Sequence, residues 1–237
     1  MSLKKLFLRS GWSYKIYLYY NLYIRNRALK KREHYSQWGE DIEINRYFNK
    51  KNDGFYLDIG CFHPIKYNNT YLLYKKGWTG INIDLNQTSI DLFNILRPKD
   101  KNICAVLSNS KKKVTINYDD FFSPLNTINE EFVKTAKKNS SYFNKLITKQ
   151  AISKNPNEFL SEIMNIDFIN IDSEGEDFNI LNEIDLIKYK TKLVAIETHE
   201  VDGVKNKDCD KISNLLSAKG FRFIKRFKAT SLFSKIS

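Results

Sequence analysis

Short apolar runs recur along the chain, bounded by glycine, proline or polar residues, which is a pattern typical of buried strands. The run at 55–59 ends at Gly60, and the run at 81–84 ends at Asp84. Between them, Thr70 can cap a short helix that Gly77 ends. The stretch therefore predicts one strand–helix–strand unit, the half-site of a nucleotide-binding sheet.

The same alternation continues to the end of the chain and predicts an α/β fold. Further strands are predicted at 103–107, 166–171 and 193–196, and the runs 221–227 and 230–233 are close enough to form an antiparallel hairpin. Helices are predicted to begin near Ser36 and Ser173, to cover 89–96, and to end at Gly220.

The pattern weakens between Lys113 and Asn165. A strand at 114–116 and polar helices at 129–138 and 141–149 are predicted there. This length exceeds a normal strand–helix connection, so we interpret about 113–160 as an insertion that forms part of a substrate lid. The predicted organisation is an extension over 1–33 and one domain over 34–237 that carries this insertion.

The extension holds most of the excess positive charge. The chain has a formal net charge of +12, and residues 1–33 contain nine basic residues against Glu33 alone, interleaved with aromatic and aliphatic side chains. Such a helical segment can lie on an anionic membrane surface, grip RNA, or pack on the domain or a second subunit of a homo-oligomer. We weigh nucleic acid as the weakest of these interpretations.

Three cysteines, Cys61, Cys104 and Cys209, show no Cys-x-x-Cys spacing and argue against a disulfide framework or zinc cluster. No stretch approaches 18 uncharged apolar residues, and the N-terminus lacks a signal-peptide core. A cytoplasmic location is expected, with peripheral contact at the inner face of the membrane as an option.

Polar side chains cluster where the predicted strands end, which is where open α/β sheets bind ligands. They are Gly60 to His63, Asp84, Ser108, Asp172, and Glu197 to His199. The turn has only the first glycine of Gly-x-Gly-x-x-Gly, so a pyrophosphate lacks room and NAD is disfavoured.

S-adenosylmethionine (SAM) has no phosphate and suits this turn better. Asp84 is predicted to meet the ribose, Asp58 the ammonium, and the helix after Thr70 the carboxylate. Further predicted cofactor contacts are Gly60, Cys61, Phe62, Asn69, Leu85 and Ser108.

These residues resemble the FkbM family of methyltransferases. The resemblance covers about 35–233 and is carried by the stretches 35–41, 55–64, 69–84, 94–100, 166–181 and Glu197-x-His199. It implies a class I methyltransferase fold, Rossmann-like, with a seven-stranded mostly parallel sheet, helices on both faces and a C-terminal antiparallel hairpin. It also implies O-methylation of sugars or natural products.

By the same resemblance, Asp172 and Glu174 are the acidic pair of the active site, and Gln37 and Glu40 lie near the cofactor mouth. The sequence departs from the commoner family turn, Asp-Ile-Gly-Ala-Asn-x-Gly, by having Cys61 to Pro64. That departure places an imidazole at the site.

A hydroxyl acceptor needs a base or a metal that lowers its pKa. Asp172, His63 and His199 are the predicted catalytic residues. Asp172, Glu197 and His199 could alternatively hold a divalent ion such as Mg²⁺, Mn²⁺ or Fe(II).

Four cations suggest the acceptor, because a basic pocket suits a diphosphate-linked sugar. They are Lys66, Lys75, Lys76 and Arg97. We therefore expect a nucleotide-linked or lipid-linked sugar of capsule or lipopolysaccharide. The alternatives are an NAD-dependent sugar oxidoreductase, an RNA methyltransferase that uses the basic N-terminus, and a non-catalytic binding module.

Overall fold

The computed structural model describes residues 11–120, 123–139 and 142–236. Its main sheet has seven strands in the order β3-β2-β1-β6-β7-β9-β8, and β4 and β5 form a separate antiparallel pair. The strands are β1 Phe55–Ile59, β2 Thr79–Asp84, β3 Lys101–Cys104, β4 Lys113–Tyr118, β5 Ile147–Ile152, β6 Phe168–Ile171, β7 Leu193–Glu197, β8 Phe221–Phe227 and β9 Thr230–Lys235. The first five strands of the main sheet are parallel, and β9 pairs antiparallel with both β7 and β8. The predicted fold class, with its C-terminal hairpin, is confirmed.

Helices cover both faces of this sheet. They are α1 Gly11–Tyr19, α2 Glu40–Tyr47, α3 Tyr71–Lys75, α4 Gln87–Leu96, α5 Glu130–Asn139, α6 Asp177–Glu183 and α7 Cys209–Ala218. A π-helix, Tyr20–Arg25, continues α1, and short 3₁₀ turns lie at Arg27–Lys31 and Pro156–Phe159. No helix in the described residues is long and apolar enough to cross a membrane.

The side chains of each strand alternate between two apolar layers, as the period of a strand requires. Leu57 of β1 faces α6 and α7, where it joins Leu181 and Ile212. Its neighbour Tyr56 points to the opposite face, where it packs with Ile44 of α2 and Leu73 of α3. The strands that carry the site are therefore fixed from both sides.

The described part of the N-terminal extension is helical and docks on α4. Leu18 and Leu22 pack against Leu92, and the Tyr14 hydroxyl donates to Asp91 Oδ2 at 2.6 Å. Within the predicted helical extension over 1–33, residues 11–31 form α1, the π-helix and a 3₁₀ turn, whereas residues 1–10 lie outside the described residues.

Two local predictions are wrong. The third strand ends at Cys104, because Val106 and Leu107 leave the sheet to line the cavity described below. The predicted helix at 141–149 is absent from the part of that range that is described, where Ile147–Ile152 forms β5 against β4 instead. The predicted strand at 114–116 exists as part of β4, but it belongs to the small separate sheet.

Candidate active site

A cavity of about 700 Å³ opens at the carboxyl ends of the parallel strands. Gly60 follows β1, Asp84 ends β2, Asp172 follows β6 and Glu197 ends β7, and all four line the cavity. The insertion supplies much of the remaining wall, and its lining residues include Pro124, Leu125, Asn126, Asn129, Phe132 and Tyr142. The predicted crevice therefore exists, and the insertion borders it.

The turn after β1 requires glycine for two reasons. Gly60 has φ +73°, and a Cβ at this position would stand 1.6 Å from the backbone oxygen of Asp172. The same two strand ends are joined by the hydrogen bond from Asp172 N to Ile59 O, at 3.0 Å. The backbone of the Gly60 turn thus packs directly against the backbone of Asp172, a candidate catalytic residue.

Gly60→Ala should destabilise the protein far more than the positive φ alone, which costs about 1–3 kcal/mol for a non-glycine residue. Gly203→Ala is the matched control, because Gly203 has φ +90° and nothing within 4 Å of an added Cβ. We expect denaturant unfolding to show the larger loss for Gly60→Ala. Equal losses for the two variants would contradict the close approach to Asp172.

Asp84 is held in place by the backbone. Its Oδ2 accepts from Phe62 N at 2.8 Å and its Oδ1 from Asn86 N at 2.7 Å. Burial raises the pKa of Asp84 to about 6 despite these two donors. The adjoining Leu85, together with Val106, gives the cavity an apolar wall beside this carboxylate.

Four carboxyl groups line the cavity around the end of β6, and they belong to Asp172, Glu174, Asp177 and Glu197. Burial, and then the charges of Asp177, Asp58, Glu40 and Asp84, raise the pKa of Asp172 to about 8. Burial and the neighbouring acids, Asp172 first among them, raise the pKa of Glu174 and of Glu197 well above the usual range. Asp172 consequently holds at neutral pH a proton that an exposed carboxyl would have lost, and the protonated forms of Glu174 and Glu197 are favoured in the same direction.

The loop that carries Glu174 is built by hydrogen bonds from both of its sides. Glu174 has φ +48° and Gly175 has φ +96°. Asp177 accepts from Ser173 N at 2.8 Å and from Gly175 N at 3.1 Å. From the insertion, Thr127 Oγ1 donates to Glu174 O and Asn129 Nδ2 to Gly175 O. The insertion thus fixes the acidic loop as well as bordering the cavity.

His63 does not fit the predicted role of a catalytic base. Its Nδ1 accepts from Ile65 N and Lys66 N, and its Nε2 lies 2.9 Å from Oδ1 of Asn21 in the π-helix. Burial, reinforced by Lys66, Arg97 and Arg25, lowers the pKa of His63 to about 3. The ring is outside the cavity lining and joins the turn to the N-terminal segment.

Asp58 also lies behind the cavity rather than in its wall, which corrects the predicted ammonium contact. Its Oδ2 accepts from Thr70 Oγ1 at 2.7 Å, and its Oδ1 accepts from Asn170 Nδ2 at 2.9 Å. Thr70 and Asn69 are engaged in the same network, because Asn69 Nδ2 donates to Asn170 Oδ1. Asp58, Asn69 and Thr70, which were all predicted to contact the cofactor, therefore form a hydrogen-bond network behind the cavity wall.

The remaining predicted contacts divide in the same way. Gln37, Phe62, Leu85 and His199 line the cavity. Glu40, Cys61 and Ser108 are buried elsewhere. Glu40 accepts from Trp38 N, and Cys61 packs with Ile90 and Phe93.

His199 reaches the cavity, and its Nδ1 lies 2.8 Å from Thr198 Oγ1. Burial, then Arg226 and Lys205, lower its pKa. Asp172, Glu197 and His199 line one cavity but do not form a metal site, since no three His, Cys, Asp or Glu side chains among the described residues are placed to hold an ion. Asp172, Glu197 and His199 therefore do not fit the predicted divalent metal.

The predicted basic pocket is wrong as well. None of the four cations lines the cavity, and Arg97 is fully buried. Among the described residues, the cavity wall has one lysine, Lys207, and ten acids. The acids are Asp84, Glu131, Asp172, Glu174, Glu176, Asp177, Glu197, Glu200, Asp202 and Asp208.

Asn126 is a candidate ligand contact that sequence reasoning missed. It is 6% exposed and lines the cavity, and its Oδ1 accepts from Asp119 N at 3.1 Å. That bond fixes the orientation of the amide, and the Nδ2 group has no hydrogen-bond partner. A buried donor of this kind is costly unless a ligand or water accepts from it.

The strand order, the reversed terminal hairpin and the cavity at the strand ends are those of the class I methyltransferase fold. Residues 52–223 match the family model described as the methyltransferase FkbM domain. The chain belongs to this family, and it is accordingly a SAM-dependent methyltransferase.

A TehB-like SAM-dependent methyltransferase from Corynebacterium glutamicum is similar in structure, with 12% sequence identity and a TM-score of 0.46 over 92% of this chain and 96% of that chain. No curated protein matches the chain.

Proposed function

We propose that the protein methylates a hydroxyl group of a neutral, sugar-like acceptor, with Asp172 as the general base. One observation supports this most directly. The Asp172 carboxylate lies at the end of β6 beside the Gly60 turn, lines the cavity, and has no hydrogen-bond partner among the described residues. A group that accepts a substrate proton must be open to the substrate in this way.

The cavity fits SAM by size and charge. Its volume lies within the range of roughly 300–1,000 Å³ usual for small-molecule sites. When bound, SAM supplies an electrophilic methyl group on a positively charged sulfonium. The acids of the wall favour that cation, and Asp84 offers a carboxylate for the ribose.

The proposed proton transfer follows from the environment of Asp172. The acceptor hydroxyl would lose its proton to Asp172 as its oxygen bonds to the methyl carbon, while the methyl–sulfur bond breaks and leaves its electron pair on the sulfur of the cofactor. A base is most effective when its pKa lies near the working pH, and a value of about 8 meets that condition. Burial and the neighbouring acids raise the pKa of Glu174 and of Glu197, which favours their protonated form, and a protonated carboxyl can both donate to and accept from substrate hydroxyls.

The same charges support a neutral acceptor over a phosphorylated one. Among the described residues the cavity wall offers a diphosphate one lysine, Lys207, which is already paired with Glu131 at 2.6 Å, so the wall lacks the free cations that bind phosphate groups. We therefore propose that the reacting sugar ring is uncharged. A nucleotide or lipid carrier, and a role in capsule or lipopolysaccharide, stay predictions from the sequence.

The test is incubation of the purified chain with methyl-labelled SAM and a panel of acceptors. The panel contains neutral sugars, the same sugars as nucleotide diphosphates, and RNA. Mass spectrometry and NMR of the product identify the methylated atom. An O-methyl group on a neutral sugar is expected. Label transferred to RNA, or to a nitrogen or carbon atom, would contradict the proposal.

The pH dependence of the rate separates the two candidate bases in the cavity. If Asp172 is the base, kcat/KM rises with pH and levels off above about 8, because only its ionised form accepts a proton. His199 has a pKa lowered from 6.5, so a rate that depended on it would already be level at neutral pH. Initial rates from pH 5 to 10 in buffers of constant ionic strength distinguish the two profiles.

A further inference from the structure

The N-terminal helix has two apolar stripes, and only one of them packs on the domain. Leu18 and Leu22 face α4 and are buried. The other stripe, here named the aromatic face, repeats at spacings of three and four residues and is exposed. It consists of Trp12, Ile16, Tyr19, Tyr20, Tyr23 and Ile24.

The geometry of the helix makes this face continuous. Positions three, four and seven residues apart lie on one side of a helix, and the π-helix that follows α1 carries the stripe onward. The rings of Tyr19 and Tyr23 stack at 5.9 Å, which brings the middle of the stripe together. Trp12 and Ile24, near its two ends, are 75% and 59% exposed.

Charge identifies the kind of partner. Residues 11–32 contain six basic residues and no acidic one, and Lys15, Arg25 and Arg27 are exposed beside the aromatic face. Tryptophan and tyrosine favour the interface between lipid and water, and cations next to them are attracted to anionic headgroups.

The alternatives fit this surface less well. A two-fold contact between copies of this chain would bring together two segments that carry only positive charge. Single-stranded nucleic acid binds to aromatic rings along a basic groove, whereas the hollow along this stripe is lined by two isoleucines and, among the described residues, by one cation, Lys15.

We propose that the aromatic face docks the enzyme on an anionic membrane surface, with the helix lying in the interface. The site described above does not depend on this, because the aromatic face is separate from the cavity wall. The helix rests on α4 through its other side, so docking needs no unfolding of the segment.

The test uses the full chain and vesicles of phosphatidylcholine, with or without phosphatidylglycerol. Cosedimentation should show binding to the anionic vesicles and much weaker binding to the neutral ones. Trp12→Ser combined with Ile24→Ser should weaken binding by about tenfold or more, since binding scales with the apolar area inserted. Met164→Ser combined with Ile187→Ser is the control, because those residues are 85% and 53% exposed elsewhere on the surface.

A second readout guards against misfolding. Trp12→Phe should keep binding but lose the part of the blue shift in tryptophan emission that vesicles cause. Equal binding by the Trp12/Ile24 variant and the wild type would overturn the proposal, as would equal binding to both vesicle types. A dimer or an RNA complex that the same variant abolishes, without vesicle binding by the wild type, would also overturn it.

Discussion

Asp172→Asn should lower kcat by about 10²–10⁴-fold, the contribution typical of a positioned general base. Asparagine keeps the shape of the side chain but cannot accept the hydroxyl proton. The remaining rate should also lose its inflection near pH 8, because the group responsible no longer titrates. A product assay with labelled SAM, followed over pH, measures both effects.

The same substitution should leave the protein as stable as the wild type or more so. The pKa of Asp172 rises from 3.8 to about 8 on folding, so the folded state holds an extra proton between these values. The contribution of Asp172 to stability is therefore fully present below pH 3.8 and is lost as the pH rises to about 8. Asparagine avoids this loss, and thermal unfolding at pH 8.5 should show the gain.

Glu200→Gln is the matched control for the activity measurement. Glu200 lines the same cavity but is exposed, and the substitution removes the same charge. Its kcat should stay within a few-fold of the wild type. Equal losses in the two variants would show that the charge of the cavity matters, and not a base at position 172.

Arg97→Met should destabilise the fold by about 3–5 kcal/mol, the usual cost of removing one partner from a buried charge network. Arg97 is fully buried and donates to Pro64 O, to Thr70 Oγ1 at 2.8 Å and to Asn68 Oδ1 at 2.7 Å. Its charge favours the ionised form of Asp58. Methionine fills part of the volume but leaves these acceptors unpaired. Denaturant unfolding measures the loss.

Two companion variants identify the cause of that loss. Arg97→Lys keeps the charge without the planar fork, and it should recover only part of the stability. Adding Asp58→Asn to Arg97→Met removes the carboxylate that needed compensation. The double variant should then lose less than the sum of the two single variants. Simple additivity would contradict a shared network.

The strands of the main sheet could be predicted from the sequence, because a strand that is covered on both faces of the sheet is a short, continuous apolar run. Phe55–Ile59 is as predicted, and the runs near Ile83 and Ile196 form strands of the main sheet. The region 141–149 was not accessible in this way, because its few apolar residues fit a strand or a helix equally. Pairing with β4 decided the outcome.

The sequence predicted which candidate site residues follow strands, but not which of their side chains face the cavity. Asp84 and Asp172 follow from their position after a strand. Whether a buried polar residue faces a ligand or another part of the chain depends on its partners, and a sequence does not list these. His63, Asp58 and Arg97 were therefore placed at the ligand, although each is consumed by contacts with the protein.

The hydrogen bond between His63 and Asn21 joins the N-terminal extension to the Gly60 turn, in addition to the proposed contact of the extension with a membrane. A version of the enzyme trimmed to start at residue 34 would remove Asn21 and Asn26, which both contact Nε2 of His63, directly after the turn that Gly60 forms. Kinetic measurements on such a truncated protein would then describe an enzyme whose Gly60 turn is altered. Kinetic constants should be taken from protein that retains the helix.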